Sequence, residues 1–169
     1  MSEENFMGRR LKTVLALTGI IVISGGLSLV FDSMRQPAPD EIILFSLEWN
    51  FKPDQLSEDA ELLHGYHVLG KTKIQNPESV KEIIAAVRND LKASGVQANC
   101  FWPRHAIRVV DKTKTVDYVV CFHCGNYEMT IGDKLETQSR SMGRASRPIF
   151  NRYLKAANIP LSPGAEDTP

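Results

Sequence analysis

The sequence has no excess of charge of either sign. Its 169 residues carry 20 Lys and Arg against 20 Asp and Glu, so the formal net charge is +0. A chain without net charge has no long-range field that would steer a polyanion towards it. We therefore expect no nucleic-acid partner, and we interpret the arginines near the C-terminus as a solvated face: Arg140, Arg144, Arg147 and Arg152.

Cysteine is scarce, and its count is odd. The chain has three cysteines, which allow at most one internal disulfide with one thiol left over, or one site that uses all three sulfurs. The sequence has one C-x-x-C, from Cys121 to Cys124, and Gly125 follows where a haem-attachment motif requires histidine. Covalent haem attachment at this motif is therefore excluded.

Long hydrophobic runs are also rare, and the longest lies near the N-terminus. Thr13 to Phe31 is 19 residues without a charge, close to the roughly 20 that cross a membrane as a helix. No A-x-A-like triplet and no cysteine follow it, so an uncleaved signal-anchor is favoured over a cleaved or lipid-modified leader. Ser24-Gly25-Gly26 keeps cleavage open as the alternative.

Basic residues flank this run on its N-terminal side. Arg9, Arg10 and Lys12 place the N-terminus in the cytoplasm by the positive-inside rule. We expect a single-pass protein of the bacterial cell membrane with its domain outside, where disulfides persist. The expected organisation is a cytoplasmic N-terminus 1–12, a transmembrane signal-anchor 13–31, a linker 32–40, an extracytoplasmic α+β domain 41–158 and a flexible tail 159–169.

Strand-like patterns occur in runs in the domain, and a helix-like pattern follows each run. Asn76 and Pro77 are typical of a helix start, and an apolar stripe follows at helical spacing; a second helix is predicted from about Ser146. The polar stretch Leu135 to Gly143 is expected to be irregular. The order β-β-α-β-β-β-α predicts an α+β two-layer sandwich of a mostly antiparallel sheet with packed helices. The predicted strands are Glu41–Trp49, Tyr66–Ile74, Ala106–Val110, Thr115–Phe122 and Tyr127–Ile131.

All three cysteines lie in one stretch, and three interpretations of them remain open. The first is a structural disulfide from Cys100 to Cys121 or Cys124, which staples the hairpin region. The second is a zinc site of the Cys₃His type made by Cys100, His105, Cys121 and Cys124. The third is thiol–disulfide exchange at Cys121 and Cys124, although no helix follows them to lower the pKa of a thiol.

Basic and aromatic residues stand beside Cys100. Pro103 restricts Trp102 to extended geometry. Arginine forks bind carboxylates and other anions in a bidentate manner. Trp102, Arg104, His105 and Arg108 are therefore a candidate ligand site, with ordinary solvated or ion-paired side chains as the alternative. His64 and His67 are interpreted as surface residues.

Two segments, Cys100–Arg108 (CFWPRHAIR) and Val116–Cys124 (VDYVVCFHC), resemble a known group. They are similar to C-F-x-P-R-H-x-I-R and C-F-x-C segments of an uncharacterised family of secreted or membrane-anchored, planctomycete-like bacterial proteins. The resemblance implies that Cys100, Pro103, Arg104, His105 and the two later cysteines form one unit. It implies no activity.

Together these patterns indicate a membrane-anchored, extracytoplasmic binding or structural module for an unknown ligand, with a cysteine-stapled hairpin region. A zinc-binding protein or metal-assisted enzyme is the first alternative. A thiol–disulfide oxidoreductase is the second. Zinc is the only cofactor that the pattern suggests.

Overall fold

A computed structural model describes residues 39–93 and 98–166. The chain divides into two compact units, residues 1–36 and 37–169, of which the first lies outside the described residues. The predicted signal-anchor, Thr13–Phe31, therefore also lies outside them. Within the described ranges, no helix is long and apolar enough to cross a membrane.

The described domain is built on a seven-stranded antiparallel sheet with two α-helices, which agrees with the predicted α+β class. The strand order is β2-β3-β1-β4-β5-β6-β7, and every neighbouring pair is antiparallel. The strands are β1 (Glu41–Glu48), β2 (Leu62–Leu63), β3 (Tyr66–Ile74), β4 (His105–Val110), β5 (Thr115–Cys121), β6 (Asn126–Ile131) and β7 (Lys134–Ser141). The helices are α1 (Pro77–Lys92) and α2 (Arg147–Ala156), and a short 3₁₀ turn spans Pro53–Gln55.

Both faces of the sheet are apolar near its centre. Side chains alternate between the faces of a strand, and the central strands bury both sets. One face carries a core cluster of Phe45, Leu47, Leu63, Val68, Ala106 and Val119. On the opposite face of β4, His105 and Ile107 are buried, and the ring of Phe150 from α2 contacts His105. The sheet is therefore covered on both sides around β4 and β5.

Helix α1 begins where the sequence predicts. The Asn76 side-chain oxygen accepts hydrogen bonds from the backbone N–H groups of Glu78 and Ser79, each at 3.1 Å. These bonds satisfy two of the amide donors that a helix start leaves unpaired. The apolar stripe is buried as its spacing indicates, at Val80, Ile83, Ile84 and Val87. The predicted stop at Gly95 lies outside the described residues.

Asp90 joins α1 to the start of α2. Its carboxylate is buried and accepts hydrogen bonds from the Ala145 N–H (2.9 Å), the Ser146 N–H (2.7 Å) and the Ser146 hydroxyl (2.5 Å). Gly143 lies against the same carboxylate, because a Cβ there would be 2.5 Å from an Asp90 oxygen. A buried charged group is tolerated when it is hydrogen-bonded in this way.

The prediction of irregular structure at Leu135–Gly143 was wrong, because Lys134–Ser141 forms strand β7. This strand lies at the edge of the sheet, pairs only with β6 and has no buried residue. An edge strand without a buried face does not need alternating apolar residues, so its sequence lacks the pattern by which strands are recognised. The two-residue β2 is too short to show such a pattern.

The segment after α2, which the sequence analysis treated as a flexible tail, lies on the domain as far as the structure describes it. Ser162 and Ala165 are buried, and the Asn151 side-chain amide donates to the Ala165 carbonyl at 3.1 Å. A Cβ at Gly70 in β3 would lie 2.8 Å from the Ile159 side chain. Residues 159–166 therefore form part of the packed domain.

Candidate functional site

The three sulfurs converge at the turn between β5 and β6. Cys121 is the last residue of β5, and Gly125 (φ 68°) precedes β6 with a left-handed backbone that glycine adopts easily. Cys121 and Cys124 form a disulfide, with their Cα atoms 5.3 Å apart. Cys100 keeps a free thiol whose sulfur lies 2.8 Å from Cys124 Sγ. Cys124 is therefore the central sulfur of the cluster.

The expected bond from Cys100 to Cys121 or Cys124 is absent. The turn after β5 instead brings Cys121 and Cys124, three residues apart, within bonding range. A bond that closes such a short loop stabilises a fold by about 2 kcal/mol in the chain-entropy account, against about 3.5 kcal/mol for a loop from Cys100 to Cys124. The observed pair is therefore the weaker staple of the two.

Asn126 holds the Cys100 segment against the hairpin. Its side-chain nitrogen donates to the Cys100 carbonyl at 3.0 Å and to the Ala98 carbonyl at 3.4 Å. The Ala98 N–H in turn donates to the Cys124 carbonyl at 3.0 Å. Asn126 is fully buried and pairs with Cys121 in the sheet. These contacts fix the position of the free thiol relative to the disulfide.

Donor groups surround the cysteine turn. The Cys124 N–H donates to Cys121 Sγ at 3.1 Å. The Arg144 guanidinium donates to the Phe122 carbonyl at 2.6 Å and to the His123 carbonyl at 3.0 Å. A backbone N–H and a nearby cation both favour negative charge on sulfur. One backbone N–H therefore already points at Cys121 Sγ, and Arg144 is fixed on the carbonyls of the same turn.

His105 does not act as the fourth ligand that a Cys₃His zinc site requires. It is buried, its Nε2 is 2.7 Å from the Asn151 side-chain oxygen, and its ring packs against Phe122 and Phe150. Across residues 39–93 and 98–166, no group of three or more His, Cys, Asp or Glu side chains is arranged to hold a metal ion. The zinc hypothesis for Cys100, His105, Cys121 and Cys124 has no support in this geometry.

Three aromatic rings stack beside the cysteine turn. Trp102 lies between Trp49 and His123, with ring centroids 5.1 Å and 5.8 Å away and both interplanar angles 17°. We call these three residues the ring column. Trp102 is 40% exposed, and His123 is also exposed, so the column forms part of the surface. His123 belongs to the C-x-x-C motif, so the column and the sulfur cluster share one turn.

A small depression lies next to the ring column, and we call it the arginine pocket. Its volume is about 10 Å³, close to the space that one water molecule needs. Four separate parts of the chain meet there: the segment before β4, the cysteine turn, the start of α2 and the segment after α2. The lining residues are Trp102, Arg104, His105, Phe122, His123, Arg147, Gly164 and Ala165.

The arginine pocket carries a positive potential. The pKa of His105 falls from its ordinary value to about 4, chiefly because burial penalises the charged ring, and the charges of Arg147 and Arg104 lower it further. The hydrogen bond to the Asn151 side-chain oxygen, which accepts from the ring, raises the pKa of His105. Arg104 is held in place by donating from Nε to the Pro163 carbonyl at 2.6 Å. Two arginines therefore line the pocket, and one of them is fixed by a hydrogen bond to the backbone.

Arg108, the fourth residue of the predicted ligand site, lies apart from the other three. It is three positions after His105 on β4, so its side chain emerges on the opposite face of the sheet. There it binds Asp117 through two hydrogen bonds and covers the Phe45 ring at 5.6 Å. Trp102, Arg104 and His105 line one depression, although His105 is buried instead of exposed, and Arg108 does not reach it.

His64 is exposed, as the sequence predicts, and its ring also contacts a buried carboxylate. Its Nε2 is 2.6 Å from the buried Asp117 carboxylate, although β3, β1 and β4 separate the two in the sheet order. The sheet must curl to bring them together. Nearby, burial and the charge of Glu128 raise the pKa of Tyr66 to about 12, and burial raises the pKa of Glu128. The sequence carried one signal of this buried contact: Asp117 is an acidic residue in the middle of an otherwise apolar predicted strand.

No match emerges from comparison with known proteins: no family model, no curated protein and no solved structure matches the chain. The resemblance at Cys100–Arg108 and Val116–Cys124 therefore stays a prediction. The function is therefore inferred from the chemistry of the site itself.

Proposed function

We propose that this chain is a membrane-anchored, extracytoplasmic binding module whose ligand carries carboxylate groups. Thr13–Phe31 provides the transmembrane anchor, and the basic residues before it place the domain outside the cytoplasm. The sheet and its two helices form a two-layer scaffold that presents the binding surface. The disulfide at the β5–β6 turn holds that surface in shape.

The convergence at the arginine pocket carries this proposal. Trp102, Arg104, His123 and Arg147 lie in three separate parts of the chain, yet they line the same depression. Guanidinium groups with aromatic surface beside them are suited to carboxylate recognition, because hydrogen bonds between ionised partners are stronger than neutral ones and a guanidinium carries five N–H donors.

The size of the pocket limits how a ligand binds. A volume of about 10 Å³ admits one water-sized group, such as a single carboxylate oxygen. The rest of the ligand must lie over the surface, where the exposed edge of Trp102 and the ring of His123 provide contact area. An extended acidic polymer or acidic polypeptide fits this arrangement better than a compact small molecule, which needs a deeper cavity.

Intrinsic fluorescence provides a direct test. The chain has two tryptophans, and both belong to the ring column, so fluorescence reports on this surface. Titration of the purified full chain with pentaglutamate should give a saturable change, and uncharged pentaglutamine should give none. Arg104→Gln should weaken the affinity about tenfold, which corresponds to about 1.4 kcal/mol.

A matched control separates this effect from a general loss of positive charge. Arg152 lies on α2 but pairs with Glu82, and Arg152→Gln removes the same charge away from the pocket. This variant should bind pentaglutamate like the wild type. Equal binding by the wild type and Arg104→Gln, or equal signals from pentaglutamate and pentaglutamine, would refute carboxylate recognition at this site.

A further inference from the structure

We propose that Cys100, Cys121 and Cys124 form one thiol–disulfide exchange centre, in which Cys100 is the entry point and Cys124 is the shared sulfur. This activity is additional to ligand binding and does not depend on it. In this proposal the free thiol of Cys100, which neither the disulfide nor the binding surface uses, has a chemical role. The reactant from outside is a thiol, carried by a polypeptide or by a small molecule such as glutathione.

The first support is the arrangement of the sulfurs. Cys124 Sγ is bonded to Cys121 on one side and lies 2.8 Å from Cys100 Sγ on the other. Disulfide exchange requires a thiolate to reach one sulfur of an existing disulfide. Cys100 is already in contact with such a sulfur.

The second support is the difference in exposure. Cys121 and Cys124 are fully buried, at 0% exposure, whereas Cys100 is partly exposed. A thiol in solution therefore has no direct access to the disulfide. It gains access once the bond has moved to Cys100, because one of the two bonded sulfurs then lies at the surface.

The third support is the environment of the leaving group. When Cys124 forms a bond to Cys100, Cys121 departs with the electron pair. The Cys124 N–H already donates to Cys121 Sγ at 3.1 Å, and Arg144 holds its positive charge at the carbonyls of the same turn. The Cys124 N–H stabilises the negative sulfur as it forms, as the N–H groups of a helix N-terminus do in other C-x-x-C sites.

The exchange step is balanced without an outside oxidant. The Cys100 thiol gives its proton to water, and the resulting thiolate attacks Cys124 Sγ. The Cys100–Cys124 bond forms as the Cys121–Cys124 bond breaks, and the Cys121 thiolate takes up a proton from water. One disulfide and one thiol are present before and after, so the step is an isomerisation.

Net transfer of electrons requires the outside thiol. Its thiolate attacks Cys100 Sγ in the Cys100–Cys124 isomer, and Cys124 leaves as a thiolate. The product is a mixed disulfide between Cys100 and the outside molecule. A second outside thiol then attacks the outside sulfur of that mixed disulfide and releases Cys100, so the two outside thiols become one disulfide and the chain becomes fully reduced.

Asn126 is the positioning residue for this chemistry. It does not touch a sulfur in any of its described hydrogen bonds, but it donates to the Cys100 and Ala98 carbonyls and so holds the entry thiol in place. Asn126→Asp removes these donors with little change in volume. We expect slower exchange with the Cys121–Cys124 pairing unchanged, and rescue by Asn126→Gln is not expected because the longer side chain does not fit a fully buried position.

The test is reduction of the oxidised full chain by glutathione, followed by acid quenching, alkylation of free thiols and mass-spectrometric mapping. The wild type should lose the Cys121–Cys124 bond at least about tenfold faster than Cys100→Ser, because the buried bond is reached only through Cys100. Equal rates for the two proteins would overturn the proposal, since the cysteine pair would then act without Cys100.

A second arm does not depend on how well Cys100→Ser folds. Mild oxidation of Cys121→Ser should produce the Cys100–Cys124 bond, whereas Cys124→Ser should leave Cys100 and Cys121 as thiols. No Cys100–Cys124 bond in Cys121→Ser would overturn the proposal. Failure of pentaglutamate to bind would leave these results unaffected, so the two functions are tested separately.

Discussion

Asp117 on β5 and Arg108 on β4 lie directly opposite each other on neighbouring strands and form a bidentate ion pair. The Arg108 Nε donates to Oδ1 at 2.7 Å and Nη2 donates to Oδ2 at 2.8 Å, and these hydrogen bonds to Asp117 are the main cause of the raised pKa of Arg108. Asp117 also contacts His64, so one buried carboxylate connects three distant parts of the chain. Asp117 thus joins β5 to β4 and to the turn between β2 and β3.

Asp117→Asn should therefore destabilise the domain. The amide keeps the volume but loses the charge that compensates Arg108, and breaking such a partly buried pair costs about 2 kcal/mol. The measurement is the urea midpoint of the full chain, with the exposed Asp133→Asn as the matched control. An unchanged midpoint for Asp117→Asn would show that the ion pair does not stabilise the domain.

Asp90→Ala should have a comparable or larger effect. The substitution leaves three donors from Ala145 and Ser146 without their acceptor in a buried place, and each such loss costs about 1 kcal/mol or more. We expect a loss of about 3 kcal/mol in the free energy of unfolding. Asp59→Ala, at an exposed position, serves as the control and should change it by less than about 0.5 kcal/mol.

His105 makes stability dependent on pH in a defined window. Its folded pKa is about 4, below the ordinary value of about 6.5, so the unfolded chain binds a proton first as pH falls. This contribution to stability is complete above pH 6.5 and is lost progressively down to about pH 4. The total loss is about 3 kcal/mol.

Urea unfolding at several pH values checks this expectation. His105→Gln removes the titrating group and keeps a side chain that can hydrogen-bond with Asn151. The variant should lose less stability than the wild type between pH 6.5 and pH 4. Identical slopes for the two proteins in that interval would contradict the assignment of this pH dependence to His105.

The proposed membrane anchor predicts in which cell fraction the chain is found. The full chain expressed in bacteria should sediment with membranes and resist alkaline extraction, whereas a chain beginning at Pro37 should not. Protease added outside the cytoplasmic membrane should digest the domain. A full chain found in the soluble cytoplasmic fraction would contradict the proposed topology.

Sequence patterns predicted the local elements better than the contacts between them. The cap at Asn76 and the stripe of α1 were recognisable because they involve neighbours in sequence. Strand β7 was missed because an exposed edge strand needs no alternation. The contact between His64 and Asp117 depends on the curl of the whole sheet, which no local pattern encodes.

The cysteine site shows the same limit. Clustering of the three sulfurs followed from their spacing around a predicted hairpin, but the pairing depends on the geometry of one turn. The arginine and tryptophan near Pro103 indicated the candidate ligand site. Arg108 does not belong to it, because side chains alternate along β4 and that of Arg108 lies on the other face. Burial of His105 against Phe150, far along the chain, removed it from the sulfur cluster.

Intact mass and metal content of the full chain, purified without reductant, test the account of this site most directly. The prediction is a mass lower than that of the reduced chain by two hydrogen atoms, no bound zinc, one alkylatable thiol at Cys100, and a Cys121–Cys124 bond after acid quenching. About one zinc ion per chain with all three cysteines unoxidised would contradict the account and restore a metal site.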